Sequence, residues 1–227
     1  MHIPDGFFDL ATSAGAGAVG ASGIAVAVRR VRTLMEDSAI AVAGLVAAFL
    51  FAAQMINFPV AGGTSGHLLG GALAAILVGP WVAVLCLVVV VFVQALFADG
   101  GLTALGLNVV NVALIPALGG YAVFGLLRRG LPRRRGAVIA AGSIAAAASV
   151  IFTAAAFIAE YSIGGRVEVD AASVAAAMLS VHALIAIGEA AITAAALSLV
   201  LSVRPDLVWG ARDLSPLVLH AEEAWAS

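Results

Sequence analysis

Seven apolar stretches joined by short connections decide what this chain can become. They run at about Leu10–Val28, Ser38–Ile56, Val60–Val78, Trp81–Phe97, Leu105–Leu127, Ala137–Phe157 and Val174–Val203. Each approaches the ~20 apolar residues that a helix needs to cross the hydrocarbon core. The chain is 63% hydrophobic and 11% charged, against roughly 25% charged in soluble domains. Backbone groups in lipid must be satisfied within the segment, and the alternating pattern of barrel strands is absent from the sequence. The expected fold is an all-α polytopic membrane helical bundle of about seven transmembrane helices. One transmembrane domain should occupy residues 1–205, with a cytoplasmic tail over 206–227.

Orientation follows from arginine, because short cytoplasmic loops collect positive charge. Arg29, Arg30 and Arg32 follow the first stretch, Arg128, Arg129, Arg133, Arg134 and Arg135 the fifth, and Arg204 and Arg212 the seventh. Only Arg166 falls on the other side. The N-terminus is therefore expected outside, together with Asn57–Gly66, Ala98–Thr103 and Tyr161–Asp170. That pattern requires the glycine-rich third stretch to cross. Pro59, Pro80, Pro116 and Pro132 should mark span ends or kinks.

Several function classes drop out. The net charge of −2 provides no basic face for a nucleic-acid backbone. The lone Cys86 supports neither a disulfide nor a thiolate metal cluster. The opening residues, with Asp5 and Asp9, lack the positive start of a secretory signal, so the mature protein is expected to begin at Met1. A glycine-rich Lys-Ser/Thr phosphate loop is missing from the sequence, so ATP hydrolysis is not expected of this chain.

The N-terminus carries the most chemistry. Met1 offers an amine, His2 an amide nitrogen, and the His2 imidazole can close a second chelate ring. A planar nitrogen set suits Ni(II) or Cu(II). His67, placed at the same membrane face by the arginine pattern, is the candidate fourth ligand. Gln54, Asn57, Gln94, Asn108 and Asn111 are polar groups at or inside spans, where they need partners, and they could orient the ligands. Asp5 and Asp99 could order the outer loops or attract cations. His182 and Glu189, two helical turns apart on one face, are expected to be a buried polar pair tying helices together. The four-residue row Ala39, Ala43, Ala47 permits close helix approach and is a candidate face for a partner subunit.

These residues resemble a known family. The opening Met1-His2-Ile3-Pro4-Asp5-Gly6-Phe7, the run from Asn57 through His67 to Leu73, Gly79-Pro80-Trp81, Gln94 to Thr103, Gly106-Leu107-Asn108, and His182 with Gly188-Glu189 look like the CbiM/NikM family. These are the substrate-binding (S) subunits of nickel/cobalt energy-coupling-factor (ECF) ABC transporters. The likeness covers roughly residues 1–200. It implies a seven-helix fold whose N-terminal segment enters an outward cavity. It also implies metal held by the Met1 amine, the His2 amide and imidazole, and the His67 imidazole. The implied cargo is Ni2+ or Co2+; a nitrogen plane that includes a deprotonated amide leans toward nickel. Implied partners are a transmembrane coupling (T) subunit, two ATP-binding subunits and a small accessory membrane protein, in the cytoplasmic membrane of a bacterium or archaeon.

Two other classes compete. Gly63-Thr64-Ser65-Gly66 matches the short serine motif of rhomboid intramembrane proteases, with His182 as the base; a four-residue match is weak ground for an enzyme. A solitary secondary metal permease would need its own coupling, and the one-sided nitrogen set argues for capture instead.

Overall fold

A computed structural model describes residues 2–32, 37–60 and 64–214. Helix α1 spans Leu10–Val31, α2 Asp37–Gln54, α3 Gly71–Val78 and α4 Pro80–Leu96. A continuous rod over Leu105–Gly130 comprises α5 (Leu105–Asn108), a π-helical stretch (Val109–Gly119) and α6 (Gly120–Gly130). The two longest helices follow, α7 (Arg135–Gly164) and α8 (Ala171–Val203). Four segments are long and apolar enough to cross a membrane: Leu10–Val31, Leu105–Gly130, Arg135–Gly164 and Ala171–Val203. The architecture is the expected all-α polytopic membrane bundle, apart from a pair of two-residue antiparallel strands, β1 (Phe58–Pro59) and β2 (Ser65–Gly66).

Local chemistry sets the helix limits. The Asp9 carboxylate accepts from Thr12 N at 2.7 Å and opens α1, and Asp170 does the same for α8 through Ser173 N at 2.9 Å. Pro80 starts α4 at the position where its missing N–H costs nothing. Pro116 lies inside the π-helical stretch; its lack of a donor is accommodated there by wider backbone bonding.

Small residues bring the rods together. On α7, Ala141, Gly142, Ala145 and Ala146 are buried, and a Cβ on Gly142 would fall 2.5 Å from Leu197 of α8. Helix α8 buries a single stripe, Val174, Met178, His182, Ala186, Glu189, Thr193, Leu197 and Leu201. Steps of three or four residues mark one helical face, and the other faces carry exposed Leu184, Ile187, Leu199 and Val203, as lipid contact requires.

The structure refines two expectations. The third stretch, expected over Val60–Val78 with a short firmly helical part, is helical only through Gly71–Val78, about 12 Å at 1.5 Å per residue. Irregular backbone precedes that helix, and Thr64, Gly66, His67, Leu69 and Gly70 within it are buried in protein, where such backbone is tolerated at membrane depth. The irregular part lies against α8: a Cβ on Gly66 would meet Ile185 and Val181, and Leu69 and Gly70 bond to Glu189. The helix that follows packs on other elements, with Gly71 against Pro116 and Ile76 beside Gly142 of α7 and Gly210.

Packing also continues past residue 205, where the tail was expected to begin. Val208 and Ala211 are buried against Ile76 and Phe124, Trp209 Nε1 donates to Tyr121 OH at 3.1 Å, and Arg128 pairs with Asp213 at 2.6 Å. Residues 215–227 of that tail, with His220, lie outside the described residues.

The small-residue row on α2 lies near α4. Cys86 Sγ of α4 donates to the Ala43 carbonyl at 3.4 Å, and Ala47 packs on the central core. Ala43 and Ala47 are both partly exposed, and the side chain of Ala39 lies outside the described residues.

Candidate metal site

The site is built around an N-terminal segment laid into one end of the bundle. Ile3, Phe7 and Phe8 are buried, and the two phenylalanines pack against Phe157 and Tyr161 of α7. Backbone bonds fix the segment at both ends: Gly101 N donates to Ile3 O at 2.8 Å, Arg166 N to Phe7 O at 2.9 Å and Asp9 N to Gly164 O at 2.8 Å. Asn108 pairs with Ile3 on both sides, its Oδ1 accepting from Ile3 N at 2.8 Å and its Nδ2 donating to Ile3 O at 3.1 Å. Asp5 accepts from Thr103 N and Oγ at 2.7 and 2.5 Å. These Thr103 bonds hold the Asp5 carboxyl below its ordinary range.

This anchoring delivers His2 into the interior, where it is 3% exposed. Its Nε2 meets Gln94 Oε1 at 2.9 Å, which assigns the proton to Nε2 and leaves Nδ1 as a lone pair. Asp99 Oδ1 stands 3.1 Å from Nδ1, yet no hydrogen bond of proper alignment reaches that atom. Burial, outweighing the neighbouring Asp99 and Gln94, keeps the His2 imidazole below its usual pKa. Burial pushes Asp99 up, but the adjacent His2 ring and the Asn57 amide at 3.0 Å carry it net below the carboxylate norm.

His67 faces His2, the rings stacked at 4.3 Å between centroids. Its Nδ1 lies 2.7 Å from Leu68 O and its Nε2 is buried without a partner. Two imidazoles are therefore set with one nitrogen tethered and the other bare, the arrangement of ligating histidines. The His2 amide nitrogen makes only a long contact, 3.4 Å to Ser65 Oγ. Met1 lies outside the described residues. Among the described residues no three His, Cys, Asp or Glu side chains are grouped so as to hold a metal ion.

The polar residues singled out from the sequence divide. Gln94 holds His2; Gln54 bonds Leu69 O at 2.7 Å and accepts from Gln94 at 3.2 Å; Asn57 and Asp99 pair; Asn108 positions Ile3. Asn111 stands apart, donating to Glu160 at 2.5 Å and to Leu107 O. His182 and Glu189 do not pair with each other. His182 Nδ1 sits 2.8 Å from Met178 O, while Glu189 accepts from Leu69 N and Gly70 N at 2.9 and 2.6 Å. Seven residues along a helix is about 10 Å of rise, too far for contact between these two side chains. Sequence reasoning missed the Thr103 clamp, Ser65 and the anchoring role of Phe157 and Tyr161, because nothing in residue type or spacing ties them to residues 2–9.

The Asn108 clamp gives a measurable consequence. Asn108→Ala leaves the N–H and C=O of Ile3 unpaired in a dry site, at about 1–3 kcal/mol each. Metal affinity should drop about 10- to 100-fold, the range for lost ligand-orienting groups, as read by isothermal titration of the purified protein.

Long apolar helices around a buried N-terminal segment define a polytopic membrane protein, with His2 and His67 stacked at one end of the bundle. The chain belongs to the CbiM family: residues 2–207 match the family described as "Cobalt uptake substrate-specific transmembrane region". It is 40% identical over 216 residues to a protein of Haloquadratum walsbyi that carries a provisional metal-transport name, covering 92% of this chain and 94% of that one. It is 35% identical to the cobalt transport protein CbiM of Sorangium cellulosum, again over 92% and 94% of the two chains. A crystal structure of a transition metal transporter superposes with a TM-score of 0.83 at 26% identity over the full length of both chains. Members of this family are transport subunits rather than enzymes.

Proposed function

We propose that this chain captures Ni2+ or Co2+ at the outer face of a cytoplasmic membrane and delivers it as the substrate-specific subunit of an ECF-type importer. The observation that carries the reading is the pair of bare, stacked imidazole nitrogens, His2 Nδ1 and His67 Nε2, beside the backbone at the start of the chain. The Met1 amine, the His2 amide and His2 Nδ1 form fused chelate rings, and His67 Nε2 closes the set. His67→Ala removes the link between the N-terminal segment and the bundle. It should abolish tight binding of Ni(II) and Co(II) in equilibrium dialysis; retained wild-type affinity would overturn the site. A fused nickel transport protein of Rhodobacter capsulatus, 40% identical over 146 residues, supports a multi-component system. A T subunit and two ATP-binding subunits supply the energy in this reading, with a small accessory membrane protein as a further partner.

Seven crossings, with the N-terminus outside and the Arg128–Arg135 loop inside, are part of the proposal. The support is the arginine distribution and the run of the chain from Gly66, beside Val181 and Ile185, to Gly79, beside Trp209. A cysteine placed in the Arg128–Arg135 loop should stay unreactive toward an impermeant maleimide in intact cells and react after permeabilisation. Labelling in intact cells would refute the topology.

Binding should also be pH-dependent. The amide releases a proton to the solution at any pH, and the amine releases another below its ordinary pKa of about 8. Log affinity should therefore rise by about 1 per pH unit above 8 and by about 2 per unit just below it. His2 adds nothing in this window, because its depressed pKa keeps the ring neutral until lower pH. Titrations between pH 6.5 and 9 test the slopes.

A further inference from the structure

His182 is prepared in the same way as His67. Each Nδ1 lies against a backbone carbonyl, at 2.7 Å for His67 and 2.8 Å for His182. That contact sets the Nδ1–H tautomer and leaves Nε2 with its lone pair. Both Nε2 atoms are buried without a hydrogen-bond partner, and both residues are 0% exposed. Buried polar atoms left bare in a native fold call for an explanation such as an ion, and an imidazole whose other nitrogen is fixed by a carbonyl is the common form of a metal ligand.

The two rings occupy one level of the bundle. A Cβ on Gly66, the neighbour of His67, would lie 3.3 Å from Val181 and 2.8 Å from Ile185, the residues that bracket His182 on α8. The amides of Leu69 and Gly70 then bond to Glu189 further along the same stripe. Nothing in the capture site uses His182.

Resting on the capture site set out above, we propose that His182 Nε2 is a metal ligand: with His67 Nε2 it forms a two-imidazole station for Ni2+ or Co2+ leaving the N-terminal chelate. In this exchange the His67–metal bond persists and the bonds to the amine, the amide and His2 break. The amide recovers a proton from water, a bond to His182 forms, and water fills the remaining positions. Such a mixed nitrogen and water set binds both metals more weakly than the planar chelate, which suits an ion in transit.

The test uses full-length purified protein with and without one residue added before Met1, each with and without His182→Gln, titrated with Ni(II) and Co(II). Glutamine keeps the bulk and a hydrogen-bonding end but is a poor ligand. The native-length protein should bind one equivalent tightly whether or not it carries His182→Gln, which also certifies the variant's fold; His182→Asn replaces it if that tight binding fails. The extended protein should retain weak binding, and His182→Gln should reduce this residue of affinity about tenfold or more. X-ray absorption of the extended protein's Co(II) form should lose one imidazole in the variant. An extended protein that binds no metal, or binds equally with His182→Gln, overturns this station alone. Undiminished tight binding by the extended protein defeats the N-terminal chelate and the station with it.

Discussion

One residue added before Met1 should abolish tight nickel and cobalt binding while every side chain of the protein remains in place. His2 cannot follow the displaced amine, because Gln94 holds its Nε2 at 2.9 Å and Asn108 holds the next residue from both sides. The amine then lies one residue further from the His2 amide, and the five-membered ring that joined them opens. The new residue must also enter a region where Ile3, Phe7 and His67 are already buried. With the amine displaced and its chelate ring with the His2 amide lost, affinity should fall about a thousandfold or more, about 4 kcal/mol. Metal analysis of purified native and extended proteins after gel filtration reads this directly. Equal retention of metal by both would show that the amine is not a ligand.

The contrast between His2 and Glu189 shows what the sequence could reveal. His2 and His67 were legible because their residue types carry metal chemistry and the arginine pattern put both at one face. Gln54, Gln94, Asp99 and Asn108 were legible as polar groups in apolar surroundings that had to find partners. The rods were equally plain, since α7 and α8 follow stretches dominated by alanine, valine and leucine. The segment from Thr64 to Gly70 was not. Its conformation is set by bonds from backbone groups to distant side chains, Gln54 to Leu69 O and Glu189 to Leu69 N and Gly70 N, and such bonds leave no period in the sequence. The glycines marked this stretch as weakly helical, with a short helix behind it, and the chain has irregular backbone followed by eight helical residues; what hydropathy could not supply was the path of that backbone. The row of alanines on α2 was legible as a place of close approach, and Cys86 of α4 reaches the Ala43 carbonyl there.

Glu189→Ala should cost both stability and metal affinity, through backbone that touches no metal. The carboxylate is 1% exposed and receives two consecutive amides at 2.9 and 2.6 Å. Gly70, at φ 70°, turns the chain into α3 without a capping side chain, and the Glu189 carboxylate fixes that turn from α8 by holding the two amides just before the helix. Removing it strands two buried donors, at about 1–3 kcal/mol each. The same segment carries His67, and Leu69 O receives Gln54, which bonds Gln94, which bonds His2. Loosening Leu69 and Gly70 therefore disturbs both imidazoles. Affinity for Ni(II) should fall about 100-fold, at the upper end of what lost ligand-orienting groups cost, with a lowered melting temperature in detergent. Glu189→Gln should be intermediate, since one carbonyl oxygen can accept one amide while its NH2 opposes the other donor. If Glu189→Ala lowers the melting temperature but binds nickel with native affinity, the carboxylate merely joins α8 to α3, and His67 is positioned by Leu68 O and its packing alone.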